Sequence, residues 1–248
     1  NPGMSGGPTM NAEGEVVGIN VATAGEQISF LVPVSYLQKL LTSVQQNTQG
    51  PLDRQIETQL IENQNNTVQK LLAQTWPLQS LGKTEVPGEI TDFVKCWGDT
   101  DRNNDTKVKA TYRNCRTEDE IYLNEHFTTG TIAYSFDWLE SKDLFSTQFY
   151  TRLSRSFQNG MSANRANKKD VENFNCHTRF VNLNGHDWKS VMCARPYKKY
   201  NTLFDIVLLM GSVDQPAEGL VTYLSATGIT QANALSLTQR FMESVKWN

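Results

Sequence analysis

A serine set among glycines, Asn1-Pro2-Gly3-Met4-Ser5-Gly6-Gly7-Pro8, is the part of this chain best equipped for covalent chemistry. Glycines let a backbone turn tightly enough to present a hydroxyl to an incoming carbonyl. They also leave the amide N–H groups of Gly3 and Ser5 free to converge on an oxygen that is gaining negative charge, and each such donor is worth about 3 kcal/mol to acyl transfer. A serine hydroxyl also needs a base within hydrogen-bond reach and a group that orients the base. The chain's three histidines, His126, His177 and His186, all lie far downstream. One of them, His126 or His186, could serve Ser5 only by reaching it from another domain.

Four cysteines form the second chemical set: Cys96, Cys115, Cys176 and Cys193. Their spacings fit no zinc ribbon, which wants pairs two to four residues apart. Each sequential pair brackets a strand, a turn and a strand, so Cys96 with Cys115 and Cys176 with Cys193 is the expected pairing among three. Disulfides imply an oxidising compartment; the alternative is four reduced, buried thiols in a cytosol. Asp99, Asp101, Asn103 and Asp105 alternate like a calcium loop, but Asn104 and Ala110 stand where an EF-hand needs Gly and Glu, and a hairpin turn is the better reading. No metal or other cofactor is expected. The run Arg195, Lys198, Lys199 with Tyr197 and Tyr200 reads either as a grip for an acidic or aromatic peptide or as a solvated strand end.

The elements that must position these groups follow from periodicity. Val16–Val21 and Ile28–Val32 alternate as strands, Pro33 ends the second, and Val34, Leu37, Leu40, Leu41 and Val44 then recur at helical spacing. From Gln45 to Ser80 glutamine and asparagine dominate, Gly50-Pro51 breaks the chain, and Leu52, Ile56, Leu60, Val68, Leu71 and Leu72 form a thin helical stripe. Beyond Pro77, strands are expected at 90–97, 108–115, 130–138, 176–183, 188–196, 202–210 and 219–225, with a tight turn at Asn184-Gly185 and helices at 144–157 and 231–245. Residues 158–173 are polar and basic and read as a mobile loop. The expected domains are 1–44, a Gln/Asn-rich linker and helix at 45–88, and an α+β domain with an antiparallel sheet at 89–248.

The segments Gly3-Met4-Ser5-Gly6-Gly7-Pro8, Gly14-Glu15-Val16-Val17-Gly18-Ile19-Asn20 and Ile28-Ser29-Phe30-Leu31-Val32-Pro33, with the helix from Val34, occur in an order and spacing that resembles the trypsin-like serine proteases, in their HtrA-like bacterial branch. The resemblance implies that residues 1–44 are the C-terminal part of a trypsin-like β-barrel with its closing helix. It implies Ser5 as nucleophile, Gly3 and Ser5 as oxyanion donors, Asn20, Val21 and Ala22 as the strand that pairs with a substrate peptide, and Phe30 near the specificity pocket. Met4 departs from the Asp or Asn usual at its position. The family's His and Asp lie upstream of the nucleophile, so they are expected outside this chain, on the same polypeptide or a separate one. The opening Asn1-Pro2-Gly3 likewise suggests a start further upstream. By itself the chain is expected to be inactive, with residues 1–44 disordered, rearranged or held by a partner, because an opened barrel presents strand edges and apolar faces to water. No PDZ-type carboxylate-binding loop follows, and the C-terminal sheet with its last helix ending at Val245-Lys246-Trp247 is similar to small PsbP-like sandwiches.

Composition bounds the partners. Of 248 residues 38% are hydrophobic and 20% charged, as in a globular protein, and 23 Lys plus Arg against 26 Asp plus Glu give a formal charge of -3, which leaves no electrostatic footprint for nucleic acid. The run Ile206–Met210 is far shorter than the ~20 apolar residues of a membrane span. The reading is thus a periplasmic or secreted serine endopeptidase acting on protein or peptide, seen from its nucleophile onward. The rival is a non-catalytic binding or adaptor module whose α+β domain recognises a protein or an envelope component.

Overall fold

The computed structural model describes residues 6–23, 29–46, 51–100, 107–159 and 166–247. The chain divides into two compact units, Asn1–Leu52 and Asp53–Asn248. In the first, β1 (Pro8–Met10), β2 (Val16–Thr23) and β3 (Ser29–Pro33) form an antiparallel sheet in that order, and α1 (Val34–Gln46) follows without a break. β2 and β3 approach so closely at Gly18 that a Cβ there would come within 2.8 Å of the Val32 carbonyl oxygen. Only glycine fits.

The second unit starts with α2 (Leu52–Ala73) and the hairpin β4 (Leu78–Leu81) with β5 (Thr84–Pro87). β6 (Val94–Thr100), β7 (Lys109–Thr117), the short pair β8 (Ile121–Asn124) and β9 (Phe127–Thr129), β10 (Ile132–Glu140) and α3 (Ser146–Asn159) come next. β11 (Asn175–Leu183), β12 (His186–Pro196), β13 (Phe204–Ser212), β14 (Glu218–Ile229), α4 (Gln231–Glu243) and β15 (Lys246–Trp247) complete it. Seven strands make one antiparallel sheet in the order β11-β12-β13-β14-β10-β7-β6. The class is therefore mixed α+β with antiparallel sheets, and all seven strands expected beyond residue 89 are present.

Alternation decides what each sheet face carries. Phe136, Trp138, Leu208, Met210, Leu220 and Leu224 point to the face covered by α4 and the β4–β5–β15 sheet, where they meet Leu237, Phe241 and Val86. The intervening Leu139, Leu209 and Val221 point to the other face, under Phe149 and Leu153 of α3. β13 and β14 are apolar on both faces because both are covered. Each fully buried Phe or Leu contributes about 1.5–3 kcal/mol. α2 adds Val68 and Leu71 to the larger core and Leu60 to a third cluster with Phe127, Tyr197 and Leu203.

The polar composition of α2 has a structural use. Buried Gln64 accepts a hydrogen bond from Asn233 Nδ2 at 2.8 Å and donates to Thr230 Oγ1 at 3.3 Å, so it ties α2 to the first turn of α4. The Asn184-Gly185 turn between β11 and β12 has φ of 54° and 84°, the left-handed pair that a two-residue hairpin requires. Residues 160–165 of the expected 158–173 loop lie outside the described residues; its far end is pinned by a bridge from buried Val171 to Tyr197.

Candidate functional site

Gly3 and Ser5 lie outside the described residues, as do Asp101, Asn103 and Asp105 of the acidic turn. The residues that follow Ser5 are fastened to one strand. Gly6 N–H donates to the Asn20 carbonyl at 2.7 Å, Asn20 N–H donates to the Gly7 carbonyl at 3.0 Å, and Pro8 stands opposite Ile19. Thr9 Oγ1 donates to Asn20 Oδ1 at 3.0 Å, so both backbone and side chain of Asn20 are held. Asn20 pairs with Leu31 and Ala22 with Phe30, which leaves Val21 as an extra residue in a β-bulge. Asn20, Val21, Ala22 and Phe30 thus share one sheet with the segment after Ser5. Val21 is 48% and Phe30 52% exposed.

That sheet and its helix leave much apolar surface uncovered. Met10, Val17, Leu31 and Val32 on the strands, and Tyr36, Leu40, Leu41 and Val44 on α1, are all exposed, and α1 buries none of its residues. Val34 and Leu37 are half-buried, while the next apolar positions of the same stripe face water. A stripe of this period exists to be covered.

In the second unit both disulfides are formed as the strand-turn-strand spacing suggests, Cys96 with Cys115 and Cys176 with Cys193. Each joins directly opposed residues, Cys96 on β6 to Cys115 on β7 and Cys176 on β11 to Cys193 on β12. β6 and β11 are the two edges of the seven-stranded sheet, so each staple fixes an outermost strand.

The basic run at 195–199 is no free grip. Arg195 Nε donates to Asp205 Oδ2 at 2.8 Å, Tyr197 O–H donates to Asp205 Oδ1 at 2.5 Å, and Gly228 N–H adds a third bond at 3.2 Å. Asp205 is fully buried, and burial raises its carboxyl above the ordinary range although all three donors oppose the shift. Tyr197, buried beside that carboxylate, has its hydroxyl pushed well upward by burial first and by Asp205 second. Lys198 Nζ donates to the Lys168 carbonyl at 2.6 Å, and Lys199 reaches Asp53 at 3.9 Å. The sequence signal for this cluster was a lone aspartate in the otherwise apolar strand Phe204–Met210.

Of the histidines, His126 and His177 are exposed, whereas His186 Nδ1 is 2.7 Å from Asp214 Oδ2 and its ring stacks on Trp247 at 4.2 Å. The pair fixes the imidazole's orientation. Among the described residues no hydroxyl or thiol bonds its other nitrogen. Trp76, Trp138 and Trp188 are core residues, but Trp97 is 56% exposed at the rim of a groove of about 560 Å³ along β6. Arg113 lines that groove, and its buried Nη1 has no hydrogen-bond partner among the described residues. No described helix is long and apolar enough to cross a membrane.

No protein-family model matches the chain, and no curated protein matches it. Among solved structures, a Pseudomonas aeruginosa protein of unknown function is 13% identical, with a TM-score of 0.28 over 68% of this chain and 94% of that one.

Proposed function

We propose that residues 1–44 are the nucleophile-bearing part of a trypsin-like serine endopeptidase, with Ser5 as nucleophile and the Gly3 and Ser5 amides as oxyanion donors. The observation that carries this reading is the attachment of the segment after Ser5 to Asn20, on a three-stranded antiparallel sheet that runs straight into a helix. In acyl transfer the serine hydroxyl adds to the scissile carbonyl while a base takes its proton. The oxyanion is then held by two backbone N–H groups, and the acyl-enzyme is released by water. Asn20, Val21 and Ala22 would lie along the substrate peptide, and the bulge at Val21 suits a strand that must turn a side chain towards a ligand. The base and its orienting carboxylate belong to the upstream part of the barrel, whose strands would also cover Leu40, Leu41 and Val44. Two disulfides favour a periplasmic or secreted location.

The test is a fluorophosphonate probe on the parent protein that contains the upstream barrel. Labelling at Ser5, abolished by Ser5→Ala and absent from the 248-residue chain alone, is the expected result. A parent protein that stays unlabelled while remaining folded would leave the rival reading, in which the second unit is a binding or adaptor module. The groove along β6, with Trp97 and Tyr112 at its rim, favours that role for the second unit in either case.

A further inference from the structure

A second groove, about 420 Å³ in volume, runs between the segment entering β7 and the outer side of α3. Lys107, Arg152 and Arg155 line it together with Gln148, while Val108 and Leu144 give it an apolar wall. Gln148, Arg152 and Arg155 fall at i, i+4 and i+7 and so share one helix face. Phe149 and Leu153, on the other face, are buried against the sheet and hold the helix in place. Among the described residues, none of the three cations forms an ion pair and no carboxylate lines the groove. The whole chain carries a formal charge of -3, so this local excess of positive charge runs against the overall composition. Gln148 Oε1 accepts from Phe145 N–H at 3.2 Å, which leaves the two amide N–H groups of Gln148 as donors.

We propose that this groove binds an oxyanion of the phosphate class, with Lys107, Arg152 and Arg155 as its cationic contacts and Gln148 as an added donor. A single carboxylate is satisfied by one guanidinium fork. Three cations around one groove match an anion with more charge and more acceptor oxygens, as a phosphate ester has. The same chemistry occurs in free phosphate esters and in phospholipid headgroups, and Phe145, 78% exposed next to Leu144, is the residue that would distinguish them by entering an acyl layer. This site lies in the second unit and does not depend on the protease reading.

The test uses the full chain at low ionic strength with two probes, inorganic phosphate and vesicles of phosphatidylcholine with or without about one-third phosphatidylglycerol. Phosphate should shift the amide signals of residues 107–108 and 148–155, and the double variant Arg152→Gln, Arg155→Gln should weaken binding about tenfold or more, whereas Lys70→Gln on α2 should leave it unchanged. Binding of inorganic phosphate assigns the site to free esters. Binding to anionic vesicles alone, lost in the double variant and reduced by Phe145→Ser, assigns it to lipid headgroups. If neither probe binds, if the shifted amides lie elsewhere, or if the folded double variant binds as well as the parent chain, the proposal is overturned.

Discussion

Burial raises the carboxyls of both Asp205 and Asp137, yet the two differ in what holds them. Asp205 has three donors, so removing it takes a carboxylate partner from Arg195 and from the Tyr197 hydroxyl, the latter still held by Thr129 Oγ1 at 2.7 Å. Asp205→Ala should cost about 3–5 kcal/mol, read as a fall in the urea midpoint with unchanged slope. Asp137, on β10 between Tyr112 and Val221, has no such set of donors among the described residues, and burial pushes its carboxyl up to about 6. Between about pH 4 and pH 6 the folded chain therefore holds a proton that the unfolded chain has lost, and stability falls as pH rises through that window. Asp137→Asn should flatten that slope and raise stability at pH 7 by about 2 kcal/mol, as measured by denaturation at pH 4, 5, 6 and 7. A variant with the same pH slope as the parent would show that Asp137 is not the titrating group. The sequence marks Asp205 only as a lone acid in an apolar strand, and neither its partners nor the environment of Asp137 was legible there.

At the scale of elements, the two disulfides act where backbone pairing is one-sided. β6 and β11 each have a single neighbour, and each staple closes a short loop, the paired cysteines standing 19 and 17 positions apart in sequence. Cross-links of this length stabilise by about 3 kcal/mol in the chain-entropy view. Reduction should speed amide hydrogen exchange in β6 and β11 while β13 and β14, paired on both sides and covered on both faces, stay protected. Equal loss of protection in β13 would show instead that the sheet opens as one unit. The long strands and the hairpin at Asn184-Gly185 were readable because alternation and left-handed turn chemistry are local properties. β4, β5, β8, β9 and β15 were not, because each has four residues or fewer, and a strand that short is defined by its neighbour across space.

Taken as a whole, the two units differ in how they treat apolar surface. The second has cores on both faces of its main sheet; the first leaves the outer stripe of α1 and half its strand residues in water. Leu40→Lys with Val44→Lys should change the stability of this chain by no more than about 0.5 kcal/mol, and should reduce its binding of an apolar dye. A loss well above that figure by thermal denaturation would mean that the α1 stripe is already packed against something. The same pair of substitutions should be damaging in a parent protein whose upstream barrel covers the stripe. Residue types and spacing alone determined the longer strands, the helices, the cysteine pairing and the Gly-Ser segment, because each rests on local backbone preference or on neighbours a few residues away. Only the tertiary structure decided that Gln64 locks α2 to α4 and that Lys107 joins Arg152 and Arg155 around one groove, since these partners are far apart in the chain, and that Arg195 serves Asp205, which depends on the register of β12 against β13.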